Sequence, residues 1–227
     1  MYDLVFISYN EPNAEENYNN LKQRFPTVKR VDGVRGIHQA HIAAAKKCFT
    51  KMFWAIDGDA KILESFDFNY KTQDYNIKTV HVWHSINPIN GLVYGYGGVK
   101  LLPRQLTLSI DISKPDMTTS ISKSFKTMPE ISNITAFDTD PFNVWKSAFR
   151  ECVKLSSKTI QGQVDKETDQ RLETWCTKGI EKPLGKFAIA GANEGRKYGK
   201  ENAGNENALS SINDFDWLQE LFQQQQI

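Results

Sequence analysis

Residues 52–59 read Met52-Phe53-Trp54-Ala55-Ile56-Asp57-Gly58-Asp59. The first five residues are continuously apolar, which is typical of a strand buried on both faces of a parallel sheet. The apolar run ends at two carboxylates separated by one glycine, and glycine permits the tight turn expected there. Asp57 and Asp59, at positions i and i+2 of such a turn, can both address one hard cation. The pattern therefore predicts a buried strand with an acidic turn at its carboxyl end.

Four elements are predicted before this strand. Residues 4–7 and 28–31 are short apolar runs that indicate strands, and residues 14–25 and 37–48 have the spacing and composition of helices. The order strand–helix–strand–helix–strand predicts an α/β fold that begins as a parallel sheet with right-handed crossovers. Ligands of such sheets bind outside the carboxyl ends of the strands.

The later part of the chain is less regular. Pro141 begins a predicted helix on which Trp145 and Phe149 share the apolar face, and this favours a core position for both. The glycine-dotted, basic segment 185–199 is predicted to be a flexible loop that closes over a ligand or contacts phosphates, with a solvated loop as the alternative. The elements predicted here are a strand at 78–83, a glycine-rich strand or hairpin arm at 94–102, and helices at 141–157, 166–177 and 212–222.

Bulk composition narrows the function classes. The 28 Lys and Arg residues nearly cancel the 27 Asp and Glu residues, which excludes a protein that binds polyanions over its whole surface. Cys48, Cys152 and Cys176 are widely spaced and odd in number, so buried thiols are expected rather than a disulfide framework or a Cys-based metal site. The apolar run near the N-terminus is too short for a signal peptide or a membrane span, and no membrane partner is expected.

The acidic turn suggests a specific chemistry. A Mn²⁺ or Mg²⁺ ion held by Asp57 and Asp59 would bridge the two phosphates of a nucleoside diphosphate and offset the charge that develops as this group leaves. Gly58 between them leaves room for the ligand. The alternative is a solvated acidic turn, since short acidic motifs also arise by chance.

Residues 33–45, followed by Met52 to Asp59, resemble family 2 glycosyltransferases, in which a glycine-led, alanine-rich helix precedes the strand that carries the metal-binding acidic motif. The chain departs from that pattern at His38, His41 and Ala60. The resemblance implies a GT-A-type, Rossmann-like, mostly parallel sheet with helices on both faces. It further implies one domain over 1–227, with a nucleotide-sugar-binding half at 1–102 and an acceptor-side half with C-terminal helices at 103–222.

A second resemblance covers most of the chain. Residues 6–14, 85–90, 94–103 and 138–142 are similar to glycosyltransferases of T-even-type bacteriophages. This similarity implies transfer of arabinose, or next glucose, from a UDP-sugar to 5-hydroxymethylcytosine in double-stranded DNA, in the cytoplasm of the infected bacterial host. An extruded base would need an aromatic pocket, for which Tyr94 and Tyr96 are candidates. The alternatives are a protein, glycan or small-molecule acceptor, and a GT-A-like binding module without turnover.

Candidate donor-binding residues follow from this layout. Polar side chains at the end of the first strand would cradle the base and ribose, Arg35 would contact the diphosphate, and His84 would be a third metal ligand. For each of them an ordinary turn, cap or surface role is the competing interpretation. The predicted donor-site residues are Ser8, Tyr9, Asn10, Glu11, Asp32, Arg35, Asp57 and Gly58, and the predicted metal ligands are Asp57, Asp59 and His84.

A carboxylate near the acceptor hydroxyl would serve as general base if the reaction inverts the anomeric centre. Asp140 and then Asp138 are the candidates, with Asp111 and Asp116 in reserve. Asp140 directly precedes Pro141, a position that also suits a helix N-cap, and the two roles are compatible.

Overall fold

The computed structural model describes residues 1–95, 97–114, 116–159 and 163–225. Strands and helices alternate in the first part of the chain, and helices follow one another in the last part. In chain order the elements are β1 (Asp3–Ser8), α1 (Ala14–Arg24), β2 (Lys29–Asp32), α2 (Ile37–Lys47), β3 (Met52–Asp57), β4 (Ala60–Ile62), β5 (Val80–Ile86), β6 (Val93–Tyr94), β7 (Val99–Pro103), α3 (Arg104–Leu108), α4 (Met117–Ile121), β8 (Phe125–Thr135), α5 (Pro141–Ser157), α6 (Asp165–Thr177), α7 (Gly185–Glu201), α8 (Glu206–Ser210) and α9 (Phe215–Gln223).

The strands form a sheet in the order β2-β1-β3-β7-β5-β8-β4, with β6 paired to β5. β1 lies parallel to both β2 and β3, as the strand–helix–strand pattern predicts, and β5 lies parallel to β8. β7 runs antiparallel between β3 and β5. The α/β class is thus confirmed. Because β7 runs antiparallel to β3, the first residues of β7 lie beside the end of β3.

Apolar side chains cover both faces of the sheet. On one face, α2, α3 and α4 pack against alternate residues of the central strands, among them Phe53 and Ala55. On the other face, α1 and the segment 63–77 pack against Trp54 and Ile56. Trp54 lies in tilted or edge-on contact with three aromatic rings of that layer, Phe66, Phe68 and Trp83. The predicted two-sided burial of residues 52–56 is therefore confirmed, with each of them fully buried.

The chain forms two compact units. Unit 1 comprises residues 1–87, 93–112 and 117–136 and holds the sheet. Unit 2 comprises residues 88–92, 113–116 and 137–227 and, in its described part, holds the helices from α5 to α9. The assignment of residues 1–227 to one domain with two halves stays a prediction. No helix in the described part of the chain combines the length and apolar character needed to cross a membrane.

Unit 2 has its own apolar core. Trp145 and Phe149 are buried on α5 and stack with their ring centroids 4.9 Å apart. They pack against Leu209, Ile212 and Leu218 from the C-terminal segment. Their predicted core position is therefore confirmed.

The segment predicted to be a flexible loop, 185–199, is instead the first part of helix α7. Gly191, Gly195 and Gly199 recur every four residues and lie on one side of this helix. Each lies against the backbone of α5: a Cβ added at Gly195, for example, would overlap the carbonyl of Phe149. These glycines allow the two helices to pack closely. Their four-residue spacing indicates one face of a helix, which the loop prediction did not take into account.

Alanine at Gly195 is expected to destabilise unit 2. The substitution raises helix propensity by up to about 1 kcal/mol, but the new methyl would lie only 2.9 Å from the Phe149 Cα and carbonyl carbon. Because these are backbone atoms, the helices must separate, and overpacking of this kind costs roughly 1–3 kcal/mol or more. Urea unfolding should show a net loss of stability for Gly195→Ala and almost none for Lys197→Ala, an exposed position of the same helix. Equal stability of both variants would contradict this account.

Candidate functional site

The carboxyl ends of β2, β1 and β3 bring three predicted site residues to one edge of the sheet. Ser8 is paired with Asp32 in the parallel register of β1 and β2, and Ile7 is paired with Asp57 in that of β1 and β3. Residues that are 24 and 50 positions apart in sequence thus become neighbours across adjacent strands. Their convergence is the geometric core of the candidate site.

Ser8 and Asp32 are joined directly. The buried Ser8 hydroxyl donates to Asp32 Oδ1 at 2.5 Å. Arg30, which the sequence analysis overlooked, donates through Nε to Ser8 Oγ at 3.2 Å and pairs with Asp32 and Glu15 at 3.4 and 2.6 Å. Arg30 lies two residues before Asp32 on the same strand, so period-two alternation is the signal that places both on one face. Arg35, the predicted diphosphate contact, is exposed between β2 and α2.

The acidic turn after β3 is held by side chains from the segment that follows β1. Buried Asn17 donates to the Gly58 carbonyl at 2.9 Å. Glu11 accepts from the Tyr9 backbone N–H at 2.6 Å, and a Cβ at Gly58 would lie only 2.5 Å from Glu11 Oε2 and 3.2 Å from Ser8 Cα. A larger residue than Gly58 would therefore displace the Glu11 side chain and press on the backbone of Ser8. Asn17 was missed because a polar residue within a predicted helix usually faces solvent.

The loop after β1 carries the remaining predicted donor-site residues. Tyr9 and Glu11 are half-buried, whereas Asn10 is exposed and has a left-handed backbone with φ of 61°. Asparagine tolerates this conformation better than most residues. The bend at Asn10 follows β1 directly and leads into the loop whose Glu11 lies against Gly58.

Asp57 has an unpredicted partner, Lys100. The Lys100 ammonium donates to Asp57 Oδ1 at 2.6 Å and to Oδ2 at 2.7 Å, and it also donates to the Gly97 carbonyl. Lys100 pairs with Ala55 across the antiparallel β3–β7 ladder, so its side chain shares a face with Asp57 two residues on. The Lys100 side chain is 3% exposed and the Asp57 side chain 36% exposed. A buried cation is thus compensated by a carboxylate that still reaches solvent.

His41 on α2 belongs to the same electrostatic environment. Burial, together with the positive charge of Lys100, lowers the pKa of His41 to about 4, against the opposing effect of Asp57. The imidazole is therefore neutral near pH 7, with Nδ1 donating to the Ile37 carbonyl at 2.8 Å. Nε2 is buried and has no hydrogen-bond partner among the described residues.

The predicted metal ligands are not gathered into a three-ligand site. Asp59 is half-buried at the end of the turn, and its carbonyl accepts from the Ala136 N–H at 2.7 Å. His84 is half-buried on β5. In residues 1–95, 97–114, 116–159 and 163–225, no group of three or more His, Cys, Asp or Glu side chains is arranged to hold a metal ion. The set Asp57, Asp59 and His84 is therefore not preformed, and metal binding at the acidic turn stays a prediction.

The candidate bases Asp138 and Asp140 belong to unit 2. Asp140 is the N-cap of α5 and accepts from the Asn143 backbone N–H at 2.9 Å, so its capping role is confirmed. Its second oxygen accepts from Asn143 Nδ2 at 2.5 Å and from Thr139 Oγ1 at 3.1 Å. Asp138 is exposed. The catalytic role of either carboxylate stays a prediction.

The reserve carboxylates and the aromatic pair lie elsewhere. Asp111 is exposed, whereas Asp116 is buried and pairs with Lys154 at 3.6 Å, so Asp116 is less suited to meet a substrate. Tyr94 is buried on β6, and Tyr96 lies outside the described residues. The glycine-rich arm does allow a close approach: a Cβ at Gly98 would lie 2.6 Å from Asn133 Nδ2.

The chain has a likeness to known proteins in structure but not in sequence. No protein-family model matches the chain, and no curated protein matches it by sequence. Among solved structures, residues 1–349 of S. aureus TarS are similar, with 10% sequence identity and a TM-score of 0.42, covering 89% of this chain and 91% of that chain. A similarity of this degree transfers neither activity nor substrate to the present chain.

Proposed function

We propose that the chain is a glycosyltransferase that binds a nucleoside-diphosphate sugar at the carboxyl edge of β2, β1 and β3 and passes the sugar to an acceptor hydroxyl. The observation that carries this proposal is the convergence of Ser8, Asp32 and the Asp57-Gly58-Asp59 turn at that edge. Sheets of this class bind nucleotides at the carboxyl ends of their parallel strands, where these polar side chains lie. The backbone of the turn is fixed by Asn17 and packed against Glu11, which suits a rigid binding site.

The proposed donor is a UDP-sugar, received with Mn²⁺ or Mg²⁺. Carboxylate oxygens are the donors that a hard divalent cation prefers, and the turn offers those of Asp57 and Asp59. A bound ion would offset the charge on the departing diphosphate. Asp57 already forms an ion pair with Lys100, so we assign the larger share of the contact with the metal ion to Asp59.

The proposed roles of the protein's own groups follow from their positions. Ser8 and Asp32, bonded to each other, present a fixed pair of oxygens toward the nucleoside part of the donor. Arg30 keeps this pair in place from the same face of β2. Asp140 and then Asp138 stay the candidate general bases, and Asp140 also caps α5.

The proposed acceptor is 5-hydroxymethylcytosine in double-stranded DNA, with arabinose as the favoured sugar and glucose next. This part rests on the phage-type segments of the sequence, and the site geometry supports only the donor side. A cytoplasmic location in an infected bacterium would follow from such an acceptor.

A transfer assay read by mass spectrometry tests the proposal. Purified protein with Mn²⁺ or Mg²⁺ would be given UDP-arabinose or UDP-glucose, together with hydroxymethylcytosine DNA or unmodified DNA. A pentose- or hexose-sized gain on hydroxymethylcytosine alone would support donor and acceptor together. Metal-dependent release of UDP without a gain would keep the glycosyltransferase and reject the DNA acceptor. Folded protein that neither transfers nor hydrolyses would reject the enzyme and favour a binding module.

A further inference from the structure

Two of the three cysteines are brought together in unit 2. Cys152 lies on α5 and Cys176 near the end of α6, and the Cys152 thiol donates a hydrogen bond to the Cys176 sulfur. Arg196 on α7 donates a second hydrogen bond to the same sulfur. We propose that Cys152 and Cys176 are a redox-active pair that a peroxide converts to a disulfide, with Cys176 as the attacking thiolate and Cys152 as the resolving thiol. This inference is independent of the proposed sugar transfer.

Helix packing holds the three groups of this cluster in place. The Cys176 carbonyl accepts from Asn193 Nδ2 at 3.4 Å, which ties the end of α6 to α7. Gly195 lets α7 approach the backbone of α5 closely, and Arg196 is the next residue of the same helix. The two sulfurs and the guanidinium are therefore carried by helices that pack on one another, so their contact does not depend on a loop.

The two thiols differ in how readily they ionise. The hydrogen bond from Cys152, and after it that from Arg196, lowers the pKa of Cys176 to about 7, against burial and the charge of Glu173, which pairs with Arg196 at 3.7 Å. Burial raises the pKa of Cys152 well above its ordinary value, and the hydrogen bond to Cys176 and the charge of Glu151 act in the same direction. Because the thiolate is the nucleophile, Cys176 is the sulfur that attacks near neutral pH.

Exposure distinguishes the two sulfur-bearing residues in the same sense. Cys176 is 7% exposed, whereas Cys152 is fully buried. A small oxidant that arrives from solvent therefore meets Cys176 first, and Cys152 is reached only through Cys176. Reactive cysteines of this kind combine thiolate character with access to the oxidant and often have a resolving thiol beside them.

The proposed reaction takes hydrogen peroxide as the oxidant and balances without another reactant. The Cys176 thiolate attacks one peroxide oxygen, the O–O bond breaks, and the departing hydroxide takes up the proton that Cys176 had lost, which leaves a sulfenic acid and water. The Cys152 sulfur then attacks the Cys176 sulfur, the S–O bond breaks, and the departing hydroxide takes the Cys152 proton. Two thiols and one peroxide thus give one disulfide and two water molecules.

The experiment is oxidation of the full chain with hydrogen peroxide, followed by alkylation in denaturant and peptide mass spectrometry. We expect a disulfide-linked pair of peptides that contain Cys152 and Cys176, and dithiothreitol should reverse the link. The rate at which the link forms should rise with pH to a plateau, with its midpoint near 7. Cys48 is an internal control that should stay reduced, since it is fully buried and burial raises its pKa to about 12.

Replacement of Arg196 with glutamine tests the part assigned to the guanidinium. The midpoint should move toward the ordinary thiol pKa of about 8.5, and the rate at pH 7 should fall about fivefold because the thiolate fraction falls. Arg171→Gln is the matched control, since Arg171 also pairs with a glutamate, Glu167 at 3.2 Å, and its rate should equal that of the native protein. In Cys152→Ala, Cys176 should stop at the sulfenic acid, which dimedone would trap.

Three results would overturn the proposal. Peroxide that oxidises Cys176 while Cys152 stays a thiol would show that the two do not react as a pair. Oxidation of Cys48 at the same rate would show that the thiols react only after the chain unfolds. A midpoint at the ordinary thiol value, unchanged in Arg196→Gln, would remove Arg196 and the thiolate from the mechanism.

Discussion

Replacement of Asp59 with asparagine is expected to lower kcat/KM for sugar transfer by about 100-fold or more, with little change in stability. Asp59 would act through the cation that offsets the charge on the departing diphosphate, and losing one group that stabilises transition-state charge typically costs about 10²–10³-fold. The large effect is expected at Asp59 because the charge of Asp57, the other carboxylate of the turn, is already compensated by Lys100. The hydrogen bond from the Ala136 N–H to residue 59 uses the backbone carbonyl, so asparagine leaves this bond in place.

The measurement is the mass-spectrometric transfer assay at several metal concentrations. Asp67→Asn provides a matched control, because Asp67 is an exposed carboxylate elsewhere in unit 1. The control should keep its rate, whereas the Asp59 variant should recover little even at high Mn²⁺. A rate for Asp59→Asn within about threefold of the native value would remove Asp59 from the proposed mechanism, since that is far below the effect of one such group.

The elements that position the site could be predicted because their signals are local. The apolar run that ends at Asp57 and the alternation of short strands with helices were enough to place β1 to β3 within two residues of their observed bounds. The parallel direction of these strands follows from the connecting helices, so the meeting of Ser8, Asp32 and Asp57 at one edge could be anticipated.

The partners of those residues could not be predicted, since they depend on pairings distant in sequence. Lys100 reaches Asp57 only because β7 inserts antiparallel beside β3, with Ala55 opposite Lys100. No local pattern reveals that neighbour or its register. The prediction for α7 was wrong for a different reason. Its glycines were taken as a sign of flexibility, although Gly191 and Gly195 have the spacing of one face of a helix.

Asparagine at Asp57 is expected to destabilise the protein by about 3 kcal/mol, quite apart from any effect on catalysis. Removal of one partner of a buried ion pair leaves an uncompensated charge and costs roughly 3–5 kcal/mol. The lower end of this range applies because the Asp57 side chain is 36% exposed, so water can partly take over its contact with the ammonium. The loss is still large because the Lys100 side chain is only 3% exposed. Against a typical total stability of about 5–15 kcal/mol, this is a large fraction.

Urea unfolding of single and double variants measures the effect. The Asp165→Asn control removes the carboxylate of an exposed pair, Lys158 and Asp165 at 2.7 Å, which should change the stability far less, because solvent screens such pairs. Asp57→Asn combined with Lys100→Met should recover most of the lost stability, because the buried charge is then gone as well. Equal losses for Asp57→Asn and Asp165→Asn would show that Lys100 does not depend on Asp57. If the expected difference is found, inactivity of an Asp57 variant cannot be ascribed to a lost metal ligand, and Asp59 becomes the proper residue for testing the metal.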